Sequence, residues 1–93
     1  MIKLTYYTDP GHGWFAVKRD LLTKLGLLFS ISTYSYQKGQ TVYLEEDCDA
    51  SLLFARAKSM GIELKYTQKH TNKRSAIRGY EPFHPVIPTY YGA

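Results

Sequence analysis

The sequence has one cysteine, Cys48, among 93 residues, so no disulfide can close within the chain and the fold must rest on an apolar core. A lone thiol agrees with a reducing compartment, and Cys48 is expected to serve as a small buried hydrophobe. Long hydrophobic runs are also missing. The longest mainly apolar stretch, Leu21 to Ile31, is broken by Thr23, Lys24 and Ser30 and falls short of the roughly 20 residues that cross a bilayer. No membrane contact is expected. The opening Met1 to Tyr7 alternates apolar and polar residues and has no secretory cleavage pattern, which points to the cytoplasm.

Chemical signatures are equally sparse. Neither CxxC nor HExxH occurs, and His12, His70 and His84 are far apart in the sequence, so the spacing indicates no zinc site. Glu45, Asp47 and Asp49 offer oxygen donors at one junction, but without the glycine-bearing loop that calcium needs. Gly11 and Gly13 precede Trp14 without a phosphate-loop sequence around them. Cys48 and a histidine would form a nucleophilic pair only if the fold happened to bring them together. An enzyme would require the His12 turn to sit beside Cys48 or Asp47. The expectation is a binding protein, not an enzyme, with no cofactor and no metal.

What is present is a globular composition, 44% hydrophobic and 22% charged, enough for a single core. The net charge of +4 is unevenly spread. Glu45, Glu46, Asp47 and Asp49 form an acidic cluster near the middle, and Lys65, Lys69, Lys73, Arg74 and Arg78 form a basic run towards the end. The basic run suits nucleic-acid phosphates or an acidic protein patch, and equally a solvated strand end and tail.

Ile2, Leu4 and Tyr6 alternate with Lys3, Thr5 and Tyr7, as in a strand with one buried face. Asp9 to Gly13 has turn chemistry, Trp14 to Val17 reads as a return strand, and Val17, Leu21, Leu25 and Leu28 have helical spacing that Gly26 ends. Ser32 to Leu44 predicts a hairpin turning at Lys38-Gly39. Asp47 or Asp49 is placed to cap a second helix running to about Met60, and Ile62, Leu64 and Tyr66 predict a last strand. The order β-β-α-β-β-α-β predicts an α+β two-layer sandwich, with a mostly antiparallel sheet and both helices on one face. Residues 1–67 make the domain. Residues 68–93, basic, aromatic and proline-containing, make an irregular arm.

Alternation along the predicted hairpin places Tyr34, Tyr36 and Tyr43 on one face and Val42 and Leu44 on the other. With helices over Val42 and Leu44, the open face would show those tyrosines with Tyr7, Lys3 and Lys65. Rings mixed with positive charge suit stacked bases and phosphates. The same face also reads as plain strand stability or as a homodimer interface. In the arm, Lys73, Arg74, Arg78 and Tyr80 again interleave charge and rings, as contacts to nucleic acid do. The alternative there is that Ile77, Tyr80 and Phe83 pin the arm to the body.

Three groups of residues, Asp9-Pro10-Gly11-His12-Gly13-Trp14, Tyr34-Ser35-Tyr36 through Tyr43 to Asp49, and Asn72-Lys73-Arg74-Ser75 to Ile77-Arg78, resemble a family of small proteins of tailed bacteriophages and bacterial mobile elements. The resemblance covers about residues 1–83. It implies an accessory protein in a bacterial host's cytoplasm that binds a host protein or a nucleic-acid enzyme complex, for example a defence or restriction enzyme. The acidic cluster would then be a partial phosphate mimic, or the aromatic face an anchor. Direct binding of DNA or RNA through the tyrosine face and basic arm is the alternative.

Overall fold

The computed structural model describes residues 1–86. Two strands open the chain, β1 (Ile2–Thr8) and β2 (Gly13–Lys18), joined by the Asp9 turn. Helix α1 (Arg19–Lys24) follows, then a single 3-10 turn over Leu28–Ser30 and the hairpin β3 (Tyr36–Lys38) and β4 (Thr41–Glu45). Helix α2 (Ala50–Ser59) leads to β5 (Leu64–His70), and the chain ends through a 3-10 turn over Ala76–Gly79 and the short strand β6 (Glu81–Pro82). The α+β class and the element order match the expectation. The six strands lie in the order β5-β1-β2-β4-β3-β6, and every pair is antiparallel except β1 with β5.

Leu4, Phe15, Val17, Val42 and Leu44 from the sheet, Leu22 and Leu25 around α1, and Ala50 and Leu53 from α2 share one buried cluster. Both helices therefore cover the same sheet face. This cluster is the chief source of stability, since each fully buried large apolar side chain contributes about 1.5–3 kcal/mol. Gly26 and Gly61 take φ of 70° and 68° just after their helices, the left-handed conformation that ends a helix cheaply only at glycine.

The structure corrects the sequence reading in four places. The hairpin turns at Gly39-Gln40, with Lys38 opposite Thr41 and Tyr36 opposite Tyr43. That shift of two residues keeps every side chain on its predicted face, but Tyr34 no longer reaches Tyr43. Tyr34 lies before β3 in a turn and is 69% exposed. The reason is Asp49, whose carboxylate takes hydrogen bonds from the Ser32 N–H and hydroxyl and from the Ser35 hydroxyl, holding 32–35 out of the strand. Asp49 thus occupies the N-cap position of α2 without a side-chain capping bond, and Glu45 instead accepts the Asp47 and Cys48 N–H groups. Cys48 is exposed, not buried.

The arm is the fourth correction. β5 continues through residues 68–70, and the chain then crosses the sheet from the β5 edge to pair with β3 at the opposite edge. Phe83 is 1% exposed within the main core, and its N–H donates to the Ser35 carbonyl. Ile77 is buried as well. Pro82 is tolerated in β6 because that strand is an edge. Residues 87–93, the end of the predicted arm, lie outside the described residues.

Candidate functional site

Strand register fixes what the second sheet face presents. Tyr7 opposes Trp14, Trp14 opposes Glu45, Ala16 opposes Tyr43, and Tyr43 opposes Tyr36. Lys3 lies beside Lys65, and Tyr7 beside Lys69. The predicted open face therefore exists, with Tyr7, Tyr36, Tyr43, Lys3 and Lys65 upon it. The crossing arm divides it into two regions.

Arg78 sets its guanidinium over the Trp14 ring at 5.3 Å, and Tyr80 packs on Tyr43 at 5.2 Å with the Lys38 ammonium 4.8 Å from its own ring. Tyr43 in turn meets Tyr7 at 6.2 Å. Burial, with Tyr80 and Tyr7 nearby, raises the Tyr43 pKa. These rings are engaged with one another, so the middle of the face is a packed aromatic row and not a free stacking platform. The arm is anchored by Asp9, whose buried carboxylate accepts from Arg78 Nε at 2.6 Å and Nη2 at 2.9 Å and from the Ser75 N–H at 2.9 Å. Arg78, and then the backbone N–H groups of Ser75, Gly11 and His12, hold the Asp9 carboxyl far below the usual carboxylate range. Arg78, expected as a free cation, is a structural ion-pair partner.

On one side of the arm lies a groove of about 530 Å³. Its floor is Thr5, Ala16 and Thr41, its aromatic wall is Tyr7 and Tyr43, and α1 bounds it with Asp20, Leu21 and Lys24. Three lysines line it, Lys3, Lys18 and Lys24, against one acid, Asp20. Lys65 and Lys69 extend the positive charge along β5, both exposed, and Lys73 and Arg74 follow, also exposed. Sequence reasoning missed Lys18 and Lys24, because the direct passage from β2 into α1 that brings the end of each element to the groove has no sequence signature of its own.

On the other side lies a pocket of about 350 Å³ lined by His12, Trp14, Tyr34, Tyr36, Glu45, Asp47, Cys48 and Arg78. Its residues come from the β1–β2 turn and β2, from 34–48 and from the arm. The acidic cluster is not one surface patch. Asp49 and Glu45 are buried, Glu46 accepts a hydrogen bond from the Tyr6 hydroxyl, and only Asp47 is exposed and without a side-chain hydrogen bond. His12 does sit beside Asp47 and in the same pocket as Cys48, the juxtaposition an enzyme would need. However, desolvation and a hydrogen bond to Glu45 raise the Cys48 pKa, which suppresses the thiolate a nucleophile requires.

No helix among the described residues is long and apolar enough to cross a membrane. No protein-family model matches the chain, and no solved structure matches it significantly. A stretch of 67 residues, 72% of this chain, is 37% identical to Protein MON2 homolog of Xenopus laevis. The chain spans only 3% of that protein's length.

Proposed function

We propose that this protein binds single-stranded nucleic acid, with the lysine-lined groove beside α1 as the principal contact and the exposed Lys65, Lys69, Lys73 and Arg74 as its continuation. The groove carries the reading: three lysines against one acid, on a floor of small residues, beside two tyrosine rings. Lysine ammonium groups provide the sequence-independent attraction to phosphates, and the packed Tyr7–Tyr43 row gives the groove a fixed wall. Protein recognition, the reading the sequence put first, would have less to use at 45–49, where Glu45 and Asp49 are buried and Glu46 is hydrogen-bonded. An accessory role in a phage or mobile element, as the family resemblance implies, is compatible with such an activity, and catalysis is not part of it.

The test is binding of labelled single-stranded and duplex DNA and RNA at low and moderate salt. If Lys3, Lys18, Lys24 and Arg74 each neutralise a phosphate, the logarithm of the affinity for a single strand should fall against log salt with a slope of roughly −3, about 0.7 per contact. Lys3→Glu with Lys24→Glu should abolish binding, Arg74→Ala should weaken it, and Tyr36→Ala, away from the groove, should leave it unchanged. No binding at low salt by the parent chain would reject the proposal and turn the search to protein partners.

A further inference from the structure

His12, Glu45 and Asp47 come from two distant parts of the chain, yet each offers a ligand atom within 4.8 Å of the others. The separation of His12 Nδ1 from Glu45 Oε1 is 3.7 Å. That is too long for a hydrogen bond, but it is the spacing of two donors that each sit about 2.0–2.2 Å from one shared ion. We propose that these three residues form a binding site for one divalent transition-metal ion of the zinc class. Asp47 and His12 are exposed at its mouth and Glu45 is buried at its base.

The donors are held as metal ligands usually are, by partners behind them. Glu45 Oε2 accepts the N–H groups of Asp47 at 2.9 Å and Cys48 at 2.8 Å, which leaves Oε1 directed at His12. The backbone N–H of His12 donates to Asp9 Oδ1 at 3.0 Å, and Asp9 is locked by Arg78. The loop that carries the imidazole is therefore fixed before any ion arrives. Trp14 backs the same pocket, its ring 6.2 Å from that of His12. Trp14 is 2% exposed, and its indole Nε1 is the one buried side-chain polar atom among the described residues without a hydrogen-bond partner. Such an orphan donor is costly.

The donor set chooses the ion. One imidazole with two carboxylates suits zinc or cobalt, whereas magnesium and calcium prefer all-oxygen shells with more ligands. Three protein ligands leave one tetrahedral position open, in a pocket that Tyr34, Tyr36 and Arg78 also line.

The experiment is calorimetric titration of the full chain with Zn²⁺, and with Co²⁺ for its visible absorption. The expected result is one ion per chain, no binding of Mg²⁺, a Co²⁺ spectrum without a thiolate charge-transfer band, and an affinity loss of at least about tenfold in both His12→Ala and Asp47→Ala. These two side chains are exposed, so the variants should keep the parent's circular dichroism and Tm without metal. His70→Ala is the control and should bind as the parent does. Unchanged affinity in His12→Ala, a thiolate band, loss of binding in His70→Ala, or no Zn²⁺ binding at 1:1 would each overturn the assignment. None of these outcomes depends on nucleic-acid binding.

Discussion

Replacing Phe83 with alanine tests whether the terminal arm belongs to the folding unit. The ring is 1% exposed in the main core cluster, and Arg19, itself buried, sits 5.0 Å over it. Truncating a buried phenylalanine to alanine costs about 3–5 kcal/mol through lost burial and the cavity left behind. The cation–π contact to Arg19 adds to that loss. Burial already lowers the Arg19 pKa, so this guanidinium is poorly placed to lose a favourable neighbour. A domain of this size is held together by only about 5–15 kcal/mol, and each kcal/mol lowers Tm by about 4–8 °C. Phe83→Ala should therefore melt at least about 12 °C below the parent. Phe29→Ala, at a ring that is 78% exposed, should stay within about 0.5 kcal/mol. Differential scanning calorimetry of the three chains decides the matter. A drop of less than about 4 °C in Phe83→Ala would show that the arm docks without stabilising the core, and the sixth strand would then be an accessory.

Three further perturbations follow from the same geometry. Asp49→Ala strands the Ser32 and Ser35 donors that its carboxylate satisfies and should cost at least about 2 kcal/mol, while Asp49→Asn, which keeps one acceptor, should cost less; urea midpoints of the two variants check the order. A Cβ at Gly13 would lie 2.5 Å from the Tyr6 hydroxyl oxygen. Tyr6 has no easy retreat, because its ring stacks on Phe15 at 4.2 Å and its hydroxyl is bonded to Glu46, so Gly13→Ala should lose about 1–3 kcal/mol of chemical stability. Because Arg78 depresses the Asp9 pKa in the fold, the ionised carboxylate is the form that stabilises. Its contribution is complete above the unfolded-state value of about 4 and declines as the pH falls below it. Asp9→Asn should be less stable than the parent at pH 7 and should show a shallower loss between pH 4 and 2 in urea titrations; an unchanged slope would mean that the ion pair does not survive in solution.

The parts of this fold that were legible in the sequence are those coded by local period. Alternation in residues 2–7 and 41–45 assigned faces correctly, and did so even though the β3–β4 register was off by two residues, since a shift of two preserves the face. Gly26 and Gly61 marked both helix ends, because a left-handed residue just past a helix is a local demand. The misplaced features depend on partners far away in the chain. Ser32 to Ser35 have good strand composition, but Asp49 bonds them into a turn. The parallel pairing of β5 with β1 depends on how the α2 crossover returns, which no window of residues encodes. Composition alone made the arm look detached, because after His70 its apolar anchors Ile77, Tyr80 and Phe83 follow no regular period and its polar anchor, Arg78 on Asp9, lies 69 residues from its partner.

The candidate sites show the same division more sharply. Tyr7, Tyr36, Tyr43, Lys3 and Lys65 could be placed on one face from alternation alone. The groove needed Lys18 and Lys24, which reach it only because α1 begins immediately after β2, and the His12, Glu45 and Asp47 cluster needed the β1–β2 turn to meet the end of β4. Register supplies that meeting: Trp14 opposes Glu45, so the residue two before Trp14 and the residue two after Glu45 must emerge at the same sheet end. Lys3, Lys18 and Lys24 gather at the α1 end of this face, and the carboxylates with His12 gather at the turn end, where Arg74 also lies beside Asp9 and Gly11. A strand confined to the groove would stay clear of a bound ion, whereas one that follows Lys69 and Arg74 to the turn end would meet its charge. Saturating Zn²⁺ should therefore strengthen single-strand binding at low salt and lose that effect in Arg74→Ala; fluorescence-anisotropy titrations that show no change in the parent chain would confine the nucleic acid to the α1 end.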